Sequence, residues 1–446
     1  MDSGLAWEAI FGIVLFFIFL AAGLEILWSF VLAGAVVYIL IGVGLSSIPR
    51  IVYHNIDKEV LMAVAYFILA GGLTGVGGIA NKLVVWVNDF VGWVRGGLAA
   101  VAIVASLLFG AITGSGLTSI AALGPLLVGR MEKYGYNRSY SMGVICSSGF
   151  MGLLIPPSIP LMIYALLSEQ SVAALFASTV IPGCILTVFY LIINSLFCKR
   201  WMKPVKKLNE SSEIGGGWLK RTSKHTWIAL PALLFPVIIV GGIFGGVFTP
   251  TEAAAVACVY ALIIGVLVYR GLTWKPLAKV FREALGSIGM IMILVGFGMF
   301  FSRVLLRIGV AEAMTEAILG ITENPVLILL LINVLLLLLG MFMETICILL
   351  ITVPLLLPLF DAIGMNLVQA GAVVCINVGI GQITPPFAVG LFLGARVGNI
   401  PLTEIIKVAA LFITLGGLPV LFLTTYIPEL SLWLPTLVCG SRVVGS

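Results

Sequence analysis

Charge is what this sequence has least of. Only 10% of its 446 residues are Asp, Glu, Lys or Arg, against about 25% in a soluble domain. A chain this poor in charge has no polar shell with which to dissolve, so its solvent is lipid. Histidine is scarcer still: His54 and His225 are the only two, and no His-Glu-x-x-His occurs, which argues against an intramembrane metallohydrolase. Paired mid-membrane aspartates are also missing, which leaves hydrolysis by an intramembrane enzyme poorly supported. There is no Gly-x-x-x-x-Gly-Lys-[Ser/Thr] and no soluble stretch long enough to house a nucleotide-binding domain, which argues against an ATP-driven pump. The seven cysteines form no C-x-x-C pair and lie mostly in apolar runs, so neither a disulfide framework nor a zinc site is expected. Cys146 and Cys375 read as small packing residues. The start, Met1-Asp2-Ser3, lacks the basic n-region of a cleaved signal, so 5–23 reads as a retained span.

Apolar residues are abundant, at 61% with a mean hydropathy of +1.21. A span needs about 20 of them in a row, and on that measure spans are expected at 5–23, 27–47, 60–79, 172–197, 227–247, 252–269, 284–302 and 402–427. The net charge of +5 comes from Lys and Arg clustered in short loops. That is the pattern that orients membrane proteins, and it gives no reason to expect a nucleic-acid partner. The basic loops 198–225 and 270–282 therefore read as cytoplasmic. Residues 49–59 read as an external loop whose charges nearly cancel, so the rule barely speaks there. Two amphipathic stretches, 81–95 and 303–323, read as interfacial helices on opposite sides.

Two regions, 97–168 and 325–396, are apolar but repeatedly broken by Gly, Pro and Ser, and they match at one offset. Pro125 pairs with Pro354, Gly135 with Gly364, Cys146 with Cys375, Gly152 with Gly381, and Pro156-Pro157 with Pro385-Pro386, each 229 residues apart. One region follows the cytoplasmic interfacial helix and the other the external one, which predicts an inverted-topology repeat.

A Pro-Pro pair removes helix donors and clashes with the preceding turn. In lipid the freed carbonyls are tolerated only inside protein or beside a wet cavity. Such carbonyls suit a hard cation, and half-helix N-termini favour an anion. Ile155-Pro156-Pro157-Ser158 and Thr384-Pro385-Pro386-Phe387 are therefore candidate sites for both. The turns Thr113-Gly114-Ser115-Gly116 and Met343-Glu344-Thr345 each split an apolar stretch into halves too short to span, as a re-entrant hairpin would. Glu344, a carboxylate in an apolar hairpin, is a functional candidate, with capping of a hairpin helix as its structural alternative. Ser147, Ser148 and Asn377 precede the Pro pairs and can add side-chain oxygens. Arg396 and Lys407 read as orientation charges.

Several strings then carry a resemblance. Gly114-Ser115-Gly116, Met131-Glu132-Lys133-Tyr134-Gly135-Tyr136, Gly152 to Pro160, Gly242 to Ala254, Gly379 to Pro386 and Pro428 to Pro435 resemble the large, DctM-type membrane subunit of tripartite ATP-independent periplasmic (TRAP) transporters. The likeness runs from about 60 to 435. It implies an all-α, inverted-repeat elevator fold, similar to the ion transporter superfamily, with two re-entrant hairpins and two Pro-broken helices. On that reading, 1–96 holds scaffold spans and the cytoplasmic interfacial helix, and 97–168 the first hairpin and broken helix. Connecting scaffold occupies 169–324, the second hairpin and broken helix 325–396, and the last span and tail 397–446.

The resemblance further implies sodium-driven uptake of an organic acid (a dicarboxylate, sialic acid or similar carboxylate) across the bacterial inner membrane. A small four-helix membrane subunit and a periplasmic substrate-binding protein would be the partners. Carried onto this chain, the Na+ ligands are Ser115 and Gly116 with Ser147, Gly152 and Pro156, and Glu344 and Thr345 with Asn377, Gly379 and Thr384. The substrate is expected against Ser115, Pro157, Ser158, Thr345 and Pro386. The chain departs from the family pattern at Gly23-Leu24-Glu25-Ile26 and at Leu117-Thr118-Ser119, and the tail beyond Pro435 matches no part of it. A stand-alone symporter or antiporter of the same superfamily, needing no binding protein, is the alternative.

Overall fold

The computed structural model describes residues 3–202 and 218–445, and among them it is helical, with one isolated bridge between Tyr136 and Met202 and no strand. Eight helices are long and apolar enough to cross a membrane. They include Glu59–Val76, Val172–Trp201, Pro250–Val268 and Leu402–Tyr426, along the lines expected. They also include Pro325–Phe342 and Thr345–Ala362, where halves too short to span were expected, and not the helices at 5–23 and 27–47, which are shorter. The basic loop expected at 198–225 lies mostly outside the described residues, but its end does not: a helix already begins at Trp218.

Three expectations change in detail. The span expected at 27–47 stops at Leu40, because Gly42 takes a left-handed φ of +71° and breaks the run. The loop expected at 49–59 is instead a short helix, Ile48–Ile56, with Pro49 in its first turn, a position that spares a helix donor it does not need. The span at 284–302 is the middle of one long helix, Trp274–Arg307, which absorbs part of the loop expected at 270–282 and the start of the amphipathic stretch at 303–323. The rest of that stretch forms a separate helix, Val310–Ile321, entered through Gly309 at φ +74°. Its counterpart runs from Ile79 to Val91.

Each broken region folds as a helical hairpin followed by an interrupted helix. The first hairpin has arms Gly97–Thr113 and Gly116–Lys133; the second has arms Pro325–Phe342 and Thr345–Ala362. The two second arms begin and end 229 residues apart. The first interrupted helix runs Arg138–Gly149, continues as a 3-10 turn to Leu153, and resumes at Ile159–Ser168. The second runs Leu367–Gly381 and resumes at Val389–Gly398. Both begin on an asparagine cap: Asn137 Oδ1 accepts from Ser139 N at 3.1 Å, and Asn366 Oδ1 from Val368 N at 2.9 Å. Such caps satisfy donors that the first helical turn leaves orphaned. Both Pro-Pro bonds, Pro156-Pro157 and Pro385-Pro386, are cis.

Within each half, the helices meet where glycines let backbones touch. A Cβ on Gly110 would lie 2.1 Å from Gly152 Cα, and one on Gly381 only 2.5 Å from Gly340 Cα. Each contact joins the first arm of a hairpin to the interrupted helix just before its break. Side chains are excluded there, and the hairpin tip is thereby held against the broken segment. Around these crossings the interior is close-packed, with Phe109, Phe150, Tyr164 and Tyr190 fully buried.

Candidate functional site

The two hairpin tips, far apart in sequence, line one cavity of about 110 Å³. Gly114, Ser115, Gly116 and Leu117 come from the first tip, and Glu344, Thr345 and Ile346 from the second. Leu153, Ile159 and Pro160 from the first break, Gln382 before the second, and Ile291 of the long helix close it. Three helices start at its wall: Gly116–Lys133, Ile159–Ser168 and Thr345–Ala362. Each start turns the positive end of a helix dipole toward it. The Ser115 and Glu344 side chains already cap the first and third, while Ile159–Ser168 has no side-chain cap, so the dipoles bias the wall toward an anion.

The tips are built by their cap residues. Ser115 Oγ accepts from Thr118 N at 3.4 Å, and its carbonyl accepts from Ser119 Oγ at 3.2 Å. Glu344 occupies the matching place in the second hairpin, where its Oε2 accepts from Ile346 N at 2.9 Å. The carboxylate therefore caps its own helix while lining the cavity, so the structural alternative for Glu344 and its place at the site hold together. Gln382 Nε2 donates to Thr345 Oγ1, tying the second interrupted helix to the second tip.

The remaining predicted residues divide by location. Gly116 packs on the first break, where its Cβ would meet the Gly149 carbonyl at 2.9 Å, and one on Gly152 would come within 3.4 Å of the Ser115 carbonyl. Pro156, Pro157, Ser158 and Ser147 are buried beside them, and a Cβ on Gly114 would lie 2.7 Å from the Pro157 carbonyl. Asn377 is fully buried and donates to Asn333 Oδ1 at 2.8 Å, and Asn333 donates to Thr425 Oγ1 at 3.1 Å. Gly379 packs on the Phe150 ring. Thr384 turns its hydroxyl onto the Ile380 carbonyl at 2.7 Å, and Pro386 is exposed. Neither Pro157 nor Pro386 lines the cavity. The first break is thus buried, whereas the second is open at Pro386 and Phe387.

Among the described residues, the hydroxyls of Ser147 and Ser148 and the Asn377 Oδ1 have no hydrogen-bond partner, although each is fully buried. An unsatisfied buried acceptor costs about 1–3 kcal/mol, and a hard cation that takes neutral oxygens is one way to satisfy it. No cluster of three His, Cys, Asp or Glu is present among the described residues, so a transition-metal site has no ligands. Neutral oxygens of this kind suit a hard ion rather than a soft transition metal. Two contributors escaped sequence reasoning: Gln382, a polar residue one turn before a Pro pair, and Asn333, the lone amide in a run of Leu and Ile. Both are intramembrane polar groups, which is the signal that could have found them.

A larger vestibule of about 750 Å³ shares Ser115, Leu117, Ile159 and Ile291 with the tip cavity. Its walls are the glycine face Gly71, Gly72 and Gly75 and the long helix at Lys279, Glu283 and Ser287. The Lys279 and Glu283 side chains are largely exposed and pair at 3.8 Å.

A two-repeat, all-helical body with eight membrane-capable helices and an anion-biased cavity at the meeting of its two hairpins has the architecture of a membrane transporter. The chain superposes on the Alcanivorax borkumensis YdaH transporter with a TM-score of 0.61 at 14% identity, covering 87% of each chain. It also superposes on Neisseria gonorrhoeae MtrF, whose structure is described as illuminating a class of antimetabolite efflux pumps, with a TM-score of 0.56 at 11% identity. These likenesses concern the fold alone. Residues 13–430 match the model of the tripartite ATP-independent periplasmic transporter, DctM component, and the chain belongs to that family.

The C4-dicarboxylate TRAP transporter large permease protein DctM of Pseudomonas aeruginosa is 34% identical, covering 88% of this chain and 90% of the relative. The sialic acid TRAP transporter large permease protein SiaM of Vibrio cholerae is 34% identical, covering 94% and 97%. The isethionate TRAP transporter permease protein DctMQ of Oleidesulfovibrio alaskensis is also 34% identical over 94% of this chain, which spans 65% of that longer relative. The chain is accordingly a permease subunit of the bacterial inner membrane and not an enzyme.

Proposed function

We propose that this chain is the translocating subunit of a sodium-coupled uptake system for an organic acid. It works with a small four-helix membrane subunit and a periplasmic binding protein that delivers the acid. The observation that carries this reading is the convergence of three helix N-termini on the cavity between the hairpin tips. Relatives named for C4-dicarboxylate, sialic acid and isethionate all concern acidic solutes, and an anion is what that cavity favours.

Coupling follows from Glu344. An acidic substrate in this cavity shares it with the Glu344 carboxyl, and two like charges held that close repel each other. Sodium ions bound behind each tip offset that repulsion. Ser115, Gly116, Ser147, Gly152 and Pro156 would hold one ion; Glu344, Thr345, Asn377, Gly379 and Thr384 would hold the other. Mass action does the rest, because ions that favour the substrate-competent tips raise substrate affinity by the same factor as the substrate raises theirs.

The hairpins are re-entrant, related by inverted topology, and move with the interrupted helices as one block across a scaffold of the other spans. In the state described, the vestibule runs from the first tip to Lys279, beside the basic segment that the positive-inside rule places in the cytoplasm. That is an inward-open state. The test is uptake of labelled succinate, sialic acid and isethionate into proteoliposomes that hold both membrane subunits, with the binding protein outside. One of these acids should accumulate only with sodium and binding protein together. Full uptake in choline, or without the binding protein, overturns the reading.

A further inference from the structure

The molecule has a further cavity whose chemistry the carrier reading does not use. It measures about 210 Å³ and exposes no polar surface. Its walls come from two bodies. Ile13, Phe16 and Phe17 of the first helix and Phe301 of the long helix stand on one side. Leu335 and Leu339 of the first arm and Ile351 of the second arm, all from the second hairpin, stand on the other. Thr352 is its one polar lining residue, and its hydroxyl is spent on the Ile348 carbonyl at 2.8 Å.

Water has no reason to enter, since a buried water needs two to four polar partners. Left empty, the walls forfeit dispersion contacts on one side. The space exceeds an apolar cavity of about 150 Å³ that accepts a benzene ring. It is also not sealed: Phe17 is 44% and Leu335 38% exposed, and their neighbours Val14, Ile18, Leu331 and Leu338 are exposed too. In a membrane-spanning chain those side chains face lipid. We infer that this crevice is a binding site for one acyl chain of a membrane lipid, which enters between Phe17 and Leu335. Met314 and Met343 in its lining are flexible enough to close on a chain of methylenes.

The site rests on the carrier reading for its consequence. Its walls belong to the body proposed to stay still and the hairpin proposed to move, so the crevice exists with this shape in this state alone. A lodged tail, or a competing apolar compound, favours the inward-open state by its differential affinity for it.

The test uses the full chain in nanodiscs of phosphatidylethanolamine and phosphatidylglycerol, doped with a phospholipid carrying a diazirine in its distal acyl chain. Photolabelling followed by peptide mapping should mark Phe17, Leu335 and Met343 several-fold more than the lipid-facing Val259 and Leu267. Leu339→Phe and Ile13→Phe fill the crevice from opposite walls, and each should abolish that excess while the chain still elutes as a folded species. Labelling no higher than at Val259 and Leu267 overturns the site, as does an excess that survives both fillings. A crosslink to another polypeptide in place of lipid overturns it as well. Transport is not part of the readout, so loss of the site and loss of the carrier reading remain separate results.

Discussion

The glycine crossing between the first hairpin and its interrupted helix should tolerate no side chain. In Gly110→Ala the new Cβ would stand 2.1 Å from Gly152 Cα, where carbon atoms ordinarily rest about 3.5–4.0 Å apart. The arm must retreat by roughly 1.5 Å to restore contact. Overpacking costs about 1–3 kcal/mol, and backbone opposes backbone here, with no side chain to swing away, so the upper part of that range applies. Alanine would otherwise stabilise a helix interior by about 0.5–1 kcal/mol, so the expected sign is opposite to propensity. The assay is thermal unfolding of the purified chain, followed by size-exclusion chromatography, beside the sodium dependence of that transition. Gly110→Ala should melt lowest. Gly381→Ala and Gly340→Ala, with contacts of 2.5 and 2.8 Å, should follow, and Gly241→Ala, whose Cβ meets nothing within 4 Å, should melt no lower than the parent. Gly110→Ala melting with Gly241→Ala would refute the idea that the tip is positioned by this crossing.

Other expectations concern charge, ions and caps. Glu344→Gln keeps an oxygen for the Ile346 N–H and should fold normally, yet it removes the repulsion that sodium offsets; substrate binding should lose much of its sodium dependence, and an unchanged sodium titration would count against the coupling argument. Sodium chloride should raise the melting temperature of the parent over choline chloride, and Ser115→Ala and Thr384→Ala should each shrink that rise; an undiminished rise in both would remove the ion assignment. Asn377→Ala strands the Asn333 carbonyl oxygen and should cost about 1–3 kcal/mol, read as a lower melting point that Asn333→Leu in the same chain partly restores. Thr249 and Glu252 form a capping box, with Glu252 N donating to Thr249 Oγ1 at 3.2 Å and Thr249 N to Glu252 Oε2 at 2.8 Å. Thr249→Ala should lower stability by about 1 kcal/mol without touching sodium dependence.

Much of the core architecture could be read from residues because it is written locally. Gly114-Ser115 and Met343-Glu344 interrupt apolar runs with turn and cap chemistry, and the arms end there. The Pro pairs interrupt helices by removing donors, and interruptions occur at both. What was not legible is tertiary. No periodicity tells that Gly110 faces Gly152 while Gly129 faces open space. The helix at Ile48–Ile56 is short, charged and amphipathic, so a hydropathy reading passes over it as a loop. Conversely, Trp274–Arg307 hides its junction because its polar first turns and its apolar middle share one unbroken ladder. Convergence of both tips on one cavity is likewise a property of packing, since neither hairpin contains the other's address.

The two breaks have equivalent sequences but unequal surroundings: Pro157 is buried and Pro386 exposed. If the halves trade roles as the carrier turns over, each half already displays the environment the other will adopt. The molecule then carries a portrait of its unseen conformation. Superposing each repeat on the other would draft that conformation residue by residue, and a single thiol placed at either break would report which way the carrier faces.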